Sequence, residues 1–276
     1  MLSYRAGAMR ALLAAACLLG ASLPVRADWD KIRQSGSLKV AVYKELAPFS
    51  NNGEGIDVDL AQALSKKLGL RMVLLPFPAD EEVADDLRHM VWKGHYLGYG
   101  PADVMLHVPV DKHLMSRNEQ VRIFAPYHVE TVRLVRNAGR IPAFDSIDAL
   151  AGRKVGVEKV SISGMLLLGE GNGRFRDTVR IYPSAIEALH KLKEGELDAV
   201  LAKRSEIESV FRGDSAFPLH DVAFPRMPRS GWAVGMAVKK DDTDTARLLQ
   251  KAMNELSESG ELARIFARHG VQVVKP

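Results

Sequence analysis

Five of the eight histidines, His89, His95, His107, His113 and His128, crowd into one stretch of the chain, with Asp103 and Asp111 among them. Imidazole and carboxylate groups are ligands for zinc and similar ions. The spacings match no metal motif, however, and His107 and His113 need not share a helix face. No metal and no other cofactor is expected. Glu158 and His107 are the side chains that could act as acid or base in a cleft, yet neither accompanies a recognisable nucleophile. Glu158, next to Lys159 and close in sequence to Arg153, reads as half of a structural ion pair, and the chain is not expected to be an enzyme. Cys17 is the only cysteine, and it lies in the N-terminal segment, so the rest offers neither a disulfide framework nor a thiolate site.

The elements that would position these groups follow a repeated order. Leu38 to Tyr43 alternates and is rich in β-branched residues, as a strand should be. Asp57 or Asp59 can cap a helix that carries Leu60, Leu64 and Leu68 on one face and ends at Gly69. Arg71 to Phe77 then reads as a second strand, which completes a strand, helix, strand unit of a parallel α/β sheet. The order returns later: Lys154 to Lys159 echoes Lys39 to Lys44, and Asp198 to Leu201 echoes Asp103 to Leu106. Ser184-x-x-Glu187 is a capping box opening a helix with Ile186, Leu189 and Leu192 inward. The tail adds a strand over Trp232–Val238, a helix carrying Leu248, Leu249, Ala252, Met253 and Leu256, and a last helix from Glu261 to His269. Two related halves are the economical reading. A ligand then belongs between them, at the carboxyl ends of the parallel strands.

The beginning of the chain reads as an address. Arg5 and Arg10 precede an apolar stretch from Ala11 to Gly20, and Val25-Arg26-Ala27 supplies small residues for cleavage before Asp28. This is the order of parts in a secretory signal peptide, with cleavage near Ala27 and release into the periplasm as a soluble protein. The apolar stretch is too short to span a membrane. The 276-residue chain carries a net charge of +4, but three of its arginines, Arg5, Arg10 and Arg26, leave with the signal, which contains no acid. The remainder is close to neutral and has no basic run to track phosphates, which excludes nucleic acid as a partner.

Several short motifs, taken in order, resemble those of the extracellular solute-binding proteins of family 3, the periplasmic receptors that serve amino-acid ABC transporters. They are Gly36-Ser37-Leu38-Lys39-Val40, Ala47-Pro48-Phe49-Ser50, Ile56 to Ala61, Phe124-Ala125-Pro126-Tyr127, Leu150 to Val157, and Gly195 to Val200. The resemblance implies a two-lobed type II periplasmic-binding fold, each lobe a mostly parallel sheet flanked by helices. Lobe 1 would comprise residues 28–131 plus 235–276 and lobe 2 residues 132–234, with crossings near Thr131 and Gly235. A small-molecule ligand, a membrane permease as partner and a monomeric state are implied as well.

The resemblance also nominates residues. In the family an arginine nine residues before the Pro-Tyr pair forks onto the ligand's carboxylate, and that place is Arg117. In lobe 2 the carboxylate meets hydroxyls and backbone N–H groups where a helix opens, here Ser161-Ile162-Ser163-Gly164. The acidic residue that pairs with the ligand's ammonium is replaced by Lys203, a donor that cannot accept from an ammonium. His107 stands where serines are usual, and with Leu46 in the aromatic position, Phe49 and Tyr43 become the nearest rings. Arg117 and Lys203 with Ser161 and Ser163 would suit a small, anionic organic solute.

Two other functions fit the same resemblance. Some relatives are encoded with periplasmic quinoprotein alcohol dehydrogenases, and Val108-Pro109-Val110-Asp111 is similar to a turn in that subgroup, so a dehydrogenase is the alternative partner. The fold also hosts a few periplasmic dehydratases. The Trp92–Ala102 segment, with three aromatic residues and three glycines, is longer than the family's turn and reads either as a packed loop or as a docking patch.

Overall fold

The computed structural model describes residues 28–224 and 231–276; the expected signal peptide lies outside the described residues. The chain begins with α1 (Asp28–Ser35), β1 (Ser37–Tyr43), the short strands β2 (Glu45–Leu46) and β3 (Ser50–Asn51), α2 (Ile56–Lys67), β4 (Arg71–Phe77) and α3 (Val83–Leu87). A single π turn, Arg88–Trp92, extends α3. Then come β5 (Val104–Pro109), α4 (Lys112–Arg117), the 16-residue β6 (Val121–Arg136), β7 (Val155–Glu158), α5 (Ile162–Gly169), β8 (Val179–Tyr182) and α6 (Ala185–Lys193). The remainder is β9 (Ala199–Lys203), α7 (Arg204–Phe211), β10 (Leu219–Asp221), β11 (Gly231–Lys239), α8 (Thr243–Glu258) and α9 (Glu261–Arg268).

The large sheet has the order β4-β1-β5-β11-β6-β9-β7-β8, with β10 on β6. Its two ends are parallel: β1 pairs in parallel with β4 and β5, and β7 with β8 and β9. The middle is antiparallel, because β6 and β11 run against their neighbours. Strands covered on both faces must be apolar on both. In β1, Leu38, Val40 and Val42 enter one core with Leu60, Leu64 and Val104, while Ala41 joins Met105 and Phe77 on the opposite face. The later strands repeat the arrangement, with Val155 and Val157 on one side and Val200 and Ala202 on the other.

Strand β6 belongs to both groups of strands. Its first part lies against β11, from Thr131↔Gly231 to Val121↔Lys239, and its last residues pair with β9 from Val132↔Lys203 to Arg136↔Ala199. Trp232 packs against a core of each group.

Most of the expected elements form within a residue or two of the sequence reading. The start of α2 differs. Neither Asp57 nor Asp59 caps it; Gly55 takes that place at φ +134°, with its Cα so close to the Phe49 carbonyl that a Cβ would sit 2.4 Å from the oxygen. Only glycine fits this approach. Asp57, 1% exposed, is drawn inside by Tyr127, and Asp59 pairs with Arg268 and His269, 2.9 Å from each. Ser184 does cap α6, its Oγ accepting from Glu187 N at 3.2 Å. In the Trp92–Ala102 segment, Trp92 and Tyr99 pack on a core, whereas Tyr96 is 87% and Leu97 69% exposed. Among the described residues no helix is long and apolar enough to cross a membrane.

Candidate solute-binding cleft

A cleft of about 340 Å³ separates the two groups of strands. One wall is the hairpin that follows β1, through Glu45, Leu46, Ala47, Asn51 and Asn52. The other is built at the carboxyl ends of β7 and β9, from Glu158, Lys203 and Glu206, with the first residues of α6 beside them. Parallel strands feeding helices leave such a crevice at their carboxyl ends, as the repeated order implies.

The second wall holds a compact charge cluster. Lys203 ends β9 and the chain turns at once into α7, which brings Glu206 back over it. Glu206 Oε2 accepts from Lys203 N at 2.9 Å, and its Oε1 lies 2.8 Å from Lys203 Nζ. Behind them Glu130 of β6, fully buried, accepts from Ser205 Oγ, from Thr131 N at 3.0 Å and from Ser205 N at 3.3 Å. Ala185 N, at the start of α6, lies close enough to Glu158 to favour its charged form. Three carboxylates therefore surround one ammonium.

The electrostatics follow from this count. Burial works against the charge on Lys203, but Glu206 first, then Glu130 and Glu158, outweigh it and raise the lysine's pKa. Glu158 is raised mainly by burial and further by Glu206, against the opposing pull of Lys203. Glu130 is raised, again chiefly by burial. Lys203 is engaged by an acid of its own helix turn, and the carboxylate left facing the cleft is that of Glu158.

The other nominated residues are spread through the fold. Arg117, at the end of α4, is exposed and pairs with no carboxylate among the described residues. Ser161 caps α5: its Oγ accepts from Gly164 N at 3.0 Å and donates to Glu158 O at 2.7 Å, which commits the hydroxyl to the helix. Ser163 lies in the first turn, 5% exposed. Tyr43 packs on Phe77 and donates to Asp86 Oδ2 at 2.9 Å, on the face of the sheet opposite to Phe49. Phe49 is 1% exposed, and its ring is enclosed by His107, His128 and Phe266, with centroids 4.1, 5.7 and 6.1 Å away. Neither ring offers a free platform. Both complete cores instead, because the hairpin folds Phe49 inward.

His107 is the first-group residue with a built surrounding. Its backbone is left-handed, φ +60°, an uncommon conformation for a residue with a Cβ. Tyr127 Oη accepts from His107 N at 3.0 Å and donates to Asp57 Oδ1 at 2.7 Å, while Asp57 Oδ2 lies 3.2 Å from His107 Nδ1. Burial, then Asp57, pushes the Tyr127 phenol well up. Tyr127 thus fixes the His107 peptide, while His107 Nδ1 stays close to Asp57 without a hydrogen bond. The sequence offers Asp57 only as a cap, Tyr127 only as part of a motif and Glu206 only as a neighbour of Lys203, and it gives no sign of Glu130. Lys203-x-x-Glu206 directly after a strand was the available signal, since that spacing faces along one helix side.

The histidines do not converge, and among the described residues no group of three or more histidines, cysteines or acids could hold a metal ion. His89 pairs with Asp80 at 2.7 Å, and His95 stacks on Tyr99. His128 is buried and accepts from Val274 N at 3.1 Å through Nδ1. Burial, then electrostatic repulsion from the neighbouring His107 and Arg204, lowers its pKa to about 3. An unfolded histidine titrates near its ordinary value of 6.5, so this contribution is complete above that pH and lost as pH falls towards 3. Replacing His128 with glutamine should therefore raise the variant's stability relative to the parent by about 1.4 kcal/mol per pH unit below 6.5. Urea unfolding of both proteins between pH 7 and 5 measures the difference, and it cancels groups common to both, such as Asp86, whose pKa rises to about 6 mainly through burial.

Comparison with known proteins agrees with this fold. No family model matches the chain. It is 26% identical over 246 residues to the probable histidine-binding protein of Neisseria gonorrhoeae, covering 84% of this chain and 82% of that one. It is 24% identical over 279 residues to the L-cystine-binding protein TcyJ of Escherichia coli K12, covering 97% of each. Among solved structures, an ancestral cationic amino acid solute-binding protein superposes with a TM-score of 0.69 at 19% identity, over 88% of this chain and 99% of the other. Motifs, fold and full-length relatives concur: along nearly its whole length the chain is similar to the amino-acid-binding proteins of ABC transporters, of the family 3 solute-binding type.

Proposed function

We propose that this chain is an exported receptor that closes two α/β lobes, residues 28–131 plus 235–276 and residues 132–234, on an amino acid and presents it to a membrane permease. The observation that carries the choice of solute is the charge cluster. Lys203, on which an anionic solute would depend, is held by Glu206 at 2.8 Å, and Glu130 and Glu158 leave an excess of negative charge around it. An anion entering there meets carboxylates, whereas an ammonium group meets Glu158. The acid that the family places at position 203 is thus supplied by Glu158. The solute's carboxylate falls to Arg117, which no acid among the described residues claims, and to the open N–H groups of the first turn of α5. The names of the relatives, binders of histidine and cystine, are in keeping with such a solute.

A thermal-shift screen tests this reading. Each amino acid is paired with its deaminated acid and its decarboxylated amine. At least one amino acid should raise Tm at millimolar concentration, and its deaminated partner should not. Stabilisation by dicarboxylic acids lacking an amine, with no response to amino acids, would restore the anionic solute and overturn the proposal.

A further inference from the structure

A second cavity, about 560 Å³, lies across α7 from the cleft, between that helix, the Arg212–Leu219 turn and the tail after α9. Glu206 lines the cleft, whereas Glu208 lines this rear cavity. Two residues on a helix are roughly 200° apart, so the two glutamates project from opposite sides. The walls of the rear cavity belong to different groups of strands. Ile207 and Phe211 of α7 are buried in the later core. The tail belongs with the earlier one: Val271 is buried there, and Val129 N donates to Val274 O at 2.9 Å.

A polar bridge crosses between these walls. Glu208 Oε2 accepts from Gln272 N at 2.9 Å, Arg204 Nη2 donates to Gln272 Oε1 at 3.3 Å, and Arg204 Nε holds Glu208 Oε1 at 2.5 Å. Glu208 and Arg204 side chains are only 16% and 23% exposed. The tail also approaches closely at Gly270, φ +74°, where a Cβ would sit 2.9 Å from Arg212 Cγ. On the cleft side, among the described residues, no hydrogen bond or ion pair joins the Glu45–Asn52 hairpin to Glu158, Ser184, Lys203 or Glu206.

We propose that Arg204, Glu208 and Gln272 form a latch that holds the cleft open and thereby sets the affinity for the solute. A rotation about β6 and β11 that narrows the cleft on one side of α7 must draw α7 away from the tail on the other. Closure therefore breaks the latch, and the affinity that is measured is the intrinsic one reduced by the fraction of molecules able to close. Weakening the latch enlarges that fraction without touching a residue of the cleft. The inference rests on the two-lobed reading above but on no particular solute.

The test uses the mature chain, which has no cysteine of its own. Cysteines at the exposed positions Lys44 and Glu187, next to the cleft residues Glu45 and Ile186, carry spin labels for pulsed distance measurement in the absence of solute. Glu208→Ala should move the distance distribution to shorter separations, and Gln272→Ala, which keeps the backbone bond to Glu208, should move it less in the same direction. A disulfide between Glu208→Cys and Gln272→Cys in an unlabelled chain should do the reverse, abolishing solute-induced compaction in X-ray scattering until it is reduced. Unchanged distances in Glu208→Ala and Gln272→Ala proteins that retain the parent circular dichroism would overturn the latch. Because the distance readout needs no solute, it fails independently of the proposed solute class.

Discussion

Replacing Glu206 with alanine is expected to lower stability by about 3–5 kcal/mol, the range for breaking a buried ion pair by removing one partner. Glu206 satisfies two donors of Lys203, the backbone N–H at 2.9 Å and the ammonium at 2.8 Å. Its carboxylate side chain is 6% exposed and the lysine's 21%, so water replaces the lost acceptor poorly. The deletion would leave the ammonium dependent on Glu130 and Glu158, which make no ion pair with it, and Glu130 is already occupied by Ser205 and Thr131. Glu206→Gln keeps one acceptor oxygen and should cost less. Urea unfolding that shows a lower midpoint at an unchanged slope would confirm the loss as one of stability. Equal stability of parent and Glu206→Ala would mean that Lys203 reaches solvent and that the cluster is not closed.

The second large effect is on binding and leaves the fold intact. Glu158→Gln removes the carboxylate that lines the cleft without being paired to Lys203, and with it a charge-assisted hydrogen bond to the solute's ammonium. Such bonds contribute about 1.5–3 kcal/mol, which corresponds to a roughly 10- to 150-fold weaker Kd. Burial raises the pKa of Glu158, so the neutral amide should not destabilise the folded protein. The same shift gives binding a pH dependence: affinity should fall as acidification protonates Glu158, and the Glu158→Gln variant should lose that dependence. Calorimetric titration of the amino acid identified by the thermal screen, at two pH values, checks both statements.

How much of this was legible in the sequence depends on whether local pattern or tertiary approach decided the outcome. Val40 to Val42 and Val155 to Val157 are free of charged residues because both faces of these parallel strands are covered, and their strands could be read directly. The cap at Ser184 was legible for the same reason, being settled within one helical turn. The beginning of α2 was not. Asp57 has the composition of a cap, yet a tyrosine 70 positions away claims it, and the glycine beside it is required by the Phe49 carbonyl, a contact with no sequence signature.

The site shows the same division. Lys203 could be singled out as a departure from the family's pattern, but its charge was read without its partner. Glu206 reverses the meaning of that position, and its effect depends on how tightly the chain turns from β9 into α7. Phe49 and Tyr43 were nominated as rings near the cleft, whereas alternation along β1 and the inward fold of the hairpin send them into opposite cores. Arg117 was legible as a residue but not as a neighbour, since the sequence could not say that no acid would claim it.

The central claim is that the cleft takes an amino acid through its ammonium group. Native mass spectrometry of the mature protein purified without denaturation from the compartment in which it acts tests this most directly. The account predicts a bound species with the mass of an amino acid on the parent protein, lost or strongly reduced in Glu158→Gln. A bound dicarboxylic acid without an amine, retained in Glu158→Gln, would contradict it.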